Sequence, residues 1–211
     1  MATQRTTFTS PKGIAMWPWL NTPDTKFNPD GEYKVNLRIP TEEAEPLMGQ
    51  IRGWLEEYKV DQIKKDPKLS RFGISYPYEE EIDDQGNLTG FTIFKFKQKA
   101  KIQTRDGSVL SMKVALFDAK RNPTTVRVGG GSVLKVHALA LPYAMNSTKL
   151  FGMSLKPMSV QIINLTEVEI TTASSIFDEE DGYEADLEAE AAEAKVKPVN
   201  LSEELDDSVD F

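Results

Sequence analysis

From Glu32 to Ile39 apolar and polar positions alternate. Tyr33, Val35, Leu37 and Ile39 fall on one face of an extended strand, and Lys34, Asn36 and Arg38 on the other. Pro29-Asp30-Gly31 reads as a turn before it, and Pro40 closes it. The period then changes. Leu47, Ile51, Leu55 and Tyr58, with Trp54 beside them, predict a helix that opens near Glu45-Pro46. A first-turn proline there loses no hydrogen bond. Asp66-Pro67 ends the helix by about Lys65. Residues 66–90 show neither period and read as irregular, with Pro67, Gly73, Pro77, the run Glu79-Glu80-Glu81 and a turn at Asp83–Asn87. Alternation returns in residues 91–102. Lys95, Lys97, Lys99 and Lys101 take one face, and Phe94, Phe96, Ala100 and Ile102 the other. Arg105-Asp106-Gly107 turns into a strand at about residues 109–117. Further strands are expected at 133–141, after Gly129-Gly130-Gly131, and near 158–170.

Short strands broken by turns, with one main helix, predict a mainly β body: a small closed barrel or a compact sandwich. Residues 1–175 are long enough for one domain with its own core. No apolar run approaches the roughly 20 residues of a membrane helix. Nothing behind Met1-Ala2-Thr3-Gln4-Arg5 resembles a signal core, so a soluble intracellular protein is expected.

The chain has no cysteine and one histidine, His137. Disulfides, thiolate chemistry and a Cys/His zinc site are excluded, and His137 reads as an ordinary strand residue. No Ser/His/Asp constellation can be assembled, and no metal or cofactor is expected. Gly129–Gly131 lacks the Gly-Lys-Ser/Thr of a phosphate loop and reads as a tight turn. Glu79, Glu80, Glu81, Asp83 and Asp84 read as a solvated loop; a metal-dependent nuclease site there is the poorer reading.

Charge changes the picture most. The net charge is −8, yet it is divided. Residues 176–211 carry 14 acidic side chains against Lys195 and Lys197, a net −12. Residues 1–175 carry +4, and residues 88–156 hold 12 Lys or Arg against Asp106 and Asp118. A basic body attracts a polyanion, and an acidic tail on the same chain imitates one. Lysines at alternate strand positions lie roughly 6.5–7 Å apart, near the phosphate spacing of an extended single strand. The plain alternative is a lysine-protected edge or a solvated face. Lys34, Arg38, Lys113, Lys120, Arg121, Arg127, Lys135 and Lys149 add cations elsewhere and favour a groove that tracks phosphates.

Unpaired bases also need aromatic platforms. Phe94, Phe96 and Tyr33 have core-facing parity. Trp17 and Trp19, in the irregular segment Met16-Trp17-Pro18-Trp19-Leu20, and Tyr143 after Pro142 are the stacking candidates. Residues 176–211 are too charged and too poor in apolar side chains to fold alone, so a disordered tail is expected. Its ending, with Asp206, Asp207, Asp210 and Phe211, suits a partner pocket with a basic rim.

Four stretches, in this order, carry a resemblance: Gly31–Pro40; Thr92–Lys97; Gly129–Val136 with Leu141-Pro142-Tyr143; and the acidic ending Asp210-Phe211. Together they resemble the single-stranded DNA-binding proteins of T7-like bacteriophages. The resemblance implies an OB-fold, a small Greek-key β-barrel, with a helix between early strands. It implies sequence-independent binding of single-stranded DNA in replication, recombination and annealing, in the bacterial host cytoplasm. It also implies a tail that contacts the phage DNA polymerase and helicase-primase and supports a homodimer. Tyr143 matches a base-stacking tyrosine; two positions on, where the family pattern has tryptophan, this chain has Met145. The alternative from a different class is a β-barrel protein-interaction adaptor with an acidic docking tail, for which the lysine row serves no purpose.

Overall fold

The computed structural model describes residues 6–104 and 106–166. The strands β1 (Thr6–Thr9), β2 (Gly13–Asp24) and β3 (Glu32–Pro40) lead into helix α1 (Thr41–Lys65). A 3-10 turn (Pro67–Arg71) and the strands β4 (Gly73–Ser75), β5 (Tyr78–Ile82) and β6 (Leu88–Lys99) follow. Then come β7 (Lys101–Gln103), β8 (Val109–Ser111), β9 (Ala115–Phe117), β10 (Val133–Met145) and β11 (Leu150–Asn164). The expected mainly β body with one main helix is found.

Five strands carry the architecture. β2 pairs β3, β3 pairs β6, β6 meets β11 in parallel, β11 pairs β10, and β10 returns to β2. The alternation of β3 explains its place. Val35, Leu37 and Ile39 are fully buried, while Lys34, Asn36 and Arg38 face outward and are half-buried. β6 repeats the pattern, with Phe94 and Phe96 inside and Lys95, Lys97 and Lys99 exposed. Each such buried phenyl ring stabilises the fold by roughly 1.5–3 kcal/mol. The helix closes the core with Ala44, Leu47, Met48, Ile51 and Leu55, and Trp54 packs on Phe8 at 5.9 Å between centroids.

The Gly129–Gly131 turn is a close backbone approach, as expected. Gly131 sits at φ +89°, and its N–H donates to Ala15 C=O at 2.8 Å; Ala15 N–H donates back to Ser132 C=O at 2.8 Å. A positive φ is cheap only for glycine.

Four expectations are corrected. The helix opens at Thr41, and Pro46 lies inside it. Pro46 is exposed, so the Glu42 carbonyl that loses its donor is on the side where water can reach it. Thr41 Oγ1, at 3.1 Å from Thr92 Oγ1, fastens the earlier start to β6. Residues 66–90 are not irregular. They contain β4 and β5, and β5 pairs β6 across the Asp83–Asn87 turn. Trp17-Pro18-Trp19 is not irregular either; it lies within β2, interrupted by a register shift between Met16 and Trp19. Finally, the strand expected at 109–117 is two. β8 pairs β7 in a separate sheet, while β9 joins β11.

Candidate nucleic-acid interface

The register brings one set of candidates together. Across the outer face, Trp19 stands opposite Lys34 and Lys34 opposite Lys97. Met16, Asn36 and Lys95 form the next row, and Ile14, Arg38 and Ile93 a third. Glu32 faces Lys99 beyond the first row. Trp19 and the lysine row of β6 thus share one sheet face with Lys34 between them. Trp19 is 41% exposed and Trp17 is 68% exposed. Trp17 has φ +48°, a left-handed conformation that costs a non-glycine residue about 1–3 kcal/mol. The bulge thereby turns a large apolar ring outward instead of into the core.

The cations on this face differ in what they touch. Lys34 Nζ donates to Asp24 Oδ2 at 2.6 Å, and Lys95 Nζ to Glu79 Oε2 at 2.6 Å. Arg38 holds Glu81 with two nitrogens, Nε to Oε1 at 2.9 Å and Nη2 to Oε2 at 2.8 Å, and lies 3.3 Å over the Phe91 ring. Among the described residues Lys97 and Lys99 make no ion pair. The Lys34 hydrogen bond, then the Lys26 N–H, hold the Asp24 carboxyl below its ordinary range. Arg38, then the Thr89 hydroxyl, do the same for Glu81. Exposed ion pairs are worth about 0–1 kcal/mol, so a phosphate can draw Lys95 away from Glu79, whereas Asp24 is buried and holds Lys34 more firmly. Arg38, gripped on two sides, is the less available cation.

The acidic run is therefore a solvated turn only at Asp83 and Asp84. Glu79 and Glu81 are counter-ions on β5. Asp83 accepts the Gln85 and Asn87 N–H groups at 2.9 and 2.8 Å to shape the turn, and these Asn87 bonds lead in lowering its pKa. Among the described residues no group of three or more His, Asp or Glu is arranged to hold a metal.

Lys101 does not continue the row. Ala100 is buried at a bend, its N–H donating to Gly31 C=O at 2.8 Å, and Lys101 begins the small β7–β8 sheet. Lys113 is exposed between β8 and β9. Arg127 is exposed on a loop fastened to β2. Asn21 Nδ2 donates to the Thr125 and Val126 carbonyls at 3.0 and 2.7 Å, and Val128 N–H donates to Asn21 Oδ1 at 3.1 Å. Asn21, two residues from Trp19, thus anchors Arg127 to the strand that carries the tryptophans. A lone asparagine in an apolar strand gave no signal of this in the sequence.

A second group sits at the far end of the β10–β11 hairpin. Tyr143 is 39% exposed and lies over Gly152, where a Cβ would come within 2.5 Å of the ring. Met145 is exposed two residues on, at the same parity. Lys149 turns the hairpin at φ +54°, its carbonyl accepting Gly73 N–H at 3.0 Å. Lys135 belongs to a third place, a cleft of about 300 Å³ shared with Phe117, Arg121 and His137. Asp206, Asp207, Asp210 and Phe211 lie outside the described residues.

The family described as single-stranded DNA-binding protein, bacteriophage T7, matches residues 13–165, the whole of the five-strand framework and the face just described. The chain belongs to this family. Its relatives include the single-stranded DNA-binding protein of Escherichia phage T7, 29% identical over 202 residues and covering 87% of this chain and 86% of that protein. That of Enterobacteria phage T3 is 28% identical over 148 residues, 65% of this chain and 64% of the other. The crystal structure of gp2.5, a single-stranded DNA-binding protein encoded by bacteriophage T7, superposes with a TM-score of 0.65 at 27% identity, over 86% of this chain and all of that one. The bacteriophage Enc34 single-stranded DNA-binding protein in complex with ssDNA gives 0.52 at 11% identity, over 76% and 88%, a likeness of fold.

Proposed function

We propose that this protein binds single-stranded DNA, without sequence preference, along the outer face of β2, β3 and β6. The observation that carries the reading is the row Trp19–Lys34–Lys97, which sets a base platform beside cations on one face. Lys97 and Lys99 take phosphates directly, Lys95 exchanges its carboxylate for a phosphate, and Lys34, held by Asp24, adds positive field between them. Trp17 and Trp19 stack bases, each base contributing roughly 1–3 kcal/mol. Arg127 flanks the tryptophans. Tyr143 and Lys149 extend the path at the hairpin, while Lys101, Lys113 and Lys135 add positive field, and Arg38 mainly holds β5.

The five-strand ring of pairings, with a parallel β6–β11 contact and the helix between β3 and β6, supports an OB-type framework. The protein acts by coating DNA and not as an enzyme, in replication, recombination and annealing in the host cytoplasm. Among the described residues no helix is long and apolar enough to cross a membrane. Residues 1–175 form the binding domain, and residues 176–211 recruit the phage polymerase and helicase-primase and support a homodimer through Asp206, Asp207, Asp210 and Phe211.

Changing Lys95, Lys97 and Lys99 together to Glu tests this against the adaptor reading. Loss of retention on single-stranded DNA cellulose, with the wild-type melting temperature kept, is the expected outcome. Undiminished retention would exclude this face as the binding surface.

A further inference from the structure

Among the described residues the most exposed large apolar side chain is Phe27, at 85%. It stands in the Thr25–Gly31 turn between β2 and β3, and neither strand nor helix periodicity singles it out. The turn is well fastened. Asp24 Oδ1 accepts Lys26 N–H at 2.9 Å, and Asn28 Oδ1 accepts Asp30 N–H at 3.1 Å. The Asn28 carbonyl accepts Gly31 N–H at 2.8 Å, with Gly31 at φ +78°. The ring is thus presented on an ordered backbone. Lys26 Nζ lies 5.3 Å from the ring centroid.

Register fixes where the turn stands. Asp24 is opposite Glu32, and Glu32 is opposite Lys99, so the turn rises at the Lys99 end of the lysine row. The Gly31 carbonyl accepts Ala100 N–H at 2.8 Å, which ties the turn to the residue directly after Lys99. Of the acids nearby, Asp24 is neutralised by Lys34, leaving Asp30 and Glu32. A phenyl ring on a fixed turn, beside a cation and in line with three lysines, has the two chemistries that one nucleotide needs.

We propose that Phe27 and Lys26 form a further nucleotide subsite, Phe27 stacking an unpaired base and Lys26 meeting the adjoining phosphate. The bound strand then continues past Lys99 onto the β2–β3 turn. This subsite rests on the single-stranded DNA reading of the face.

The test is titration of the full chain with oligo-dT over a range of salt. Phe27→Ala is expected to weaken binding about 5- to 150-fold with an unchanged salt slope, because stacking releases no counterions. Phe27→Trp restores affinity, and Lys26→Ala flattens the slope by about 0.7. An affinity of Phe27→Ala equal to wild type overturns the subsite alone. A lowered melting temperature in that variant makes Phe27 a scaffold residue and also overturns it. Failure of the wild-type chain to bind oligo-dT at low salt overturns the reading of the whole face, and the subsite with it.

Discussion

Lys97 and Lys99 are the cations whose position could be read from alternation alone and whose surroundings agree with the reading. Parity places Lys34, Lys95 and Arg38 outward as well, but not their carboxylate partners, because a cross-strand ion pair depends on turn geometry and strand register that alternation does not carry. Asp24 and Glu79 partner the lysines, and Glu81 clamps Arg38. Two predictions belong at this scale. Trp19→Ala weakens oligo-dT binding by roughly 1–3 kcal/mol without changing its salt dependence, measured by titration at several salt concentrations. The second concerns acid. Asp24 and Glu81 have folded pKa values depressed by their cations and hydrogen bonds, so the unfolded chain takes up protons first. Their stabilisation is present above the ordinary carboxylate range, about pH 4, and is lost as pH falls through their folded values. Glu81→Gln therefore loses stability less steeply between pH 5 and about 3 than wild type, as thermal melts across that window would record.

β5 is the element that changes how the face works. Its outward residues, Glu79 and Glu81, lie against Lys95 and Arg38, so part of the positive row is covered by an acidic edge strand. Five residues with three consecutive glutamates carry almost no strand pattern, which is why β5 read as a loop. The β2 bulge was hidden in the same way: Pro18 interrupts the alternation, and a left-handed Trp17 has no sequence signature. β3, residues 92–99 of β6 and residues 133–140 of β10 are legible because each buries every second side chain, and burial imposes a strict two-residue period. The start of α1 is not legible because proline favours a first helical turn, whereas Pro46 lies inside the helix. At this scale, Glu79→Gln releases Lys95 and tightens DNA binding by about two- to fivefold, the scale of a surface ion pair. Competition titration against wild type measures it, and weaker binding in the variant would show that Glu79 positions Lys95 instead of screening it.

For the whole molecule, the mainly β body, its single main helix and the division of charge were all legible, whereas the assembly of the face required the register of β2, β3 and β6. On the proposed reading, the acidic residues 176–211 compete with DNA for the basic face at an effective concentration of roughly millimolar, set by their tether. Deleting them is expected to tighten DNA binding and to weaken capture of the polymerase; surface-immobilised partner binding reads the second effect. The central claim, that phosphates are taken up by this lysine face, is tested most directly by the salt dependence of oligo-dT affinity. Three phosphates held by Lys95, Lys97 and Lys99 give a slope of log affinity against log salt of about −2, steepened by about 0.7 where Lys26 takes a fourth, hence at least roughly a hundredfold loss from 0.05 to 0.5 M. An affinity that stays constant across that range would contradict it.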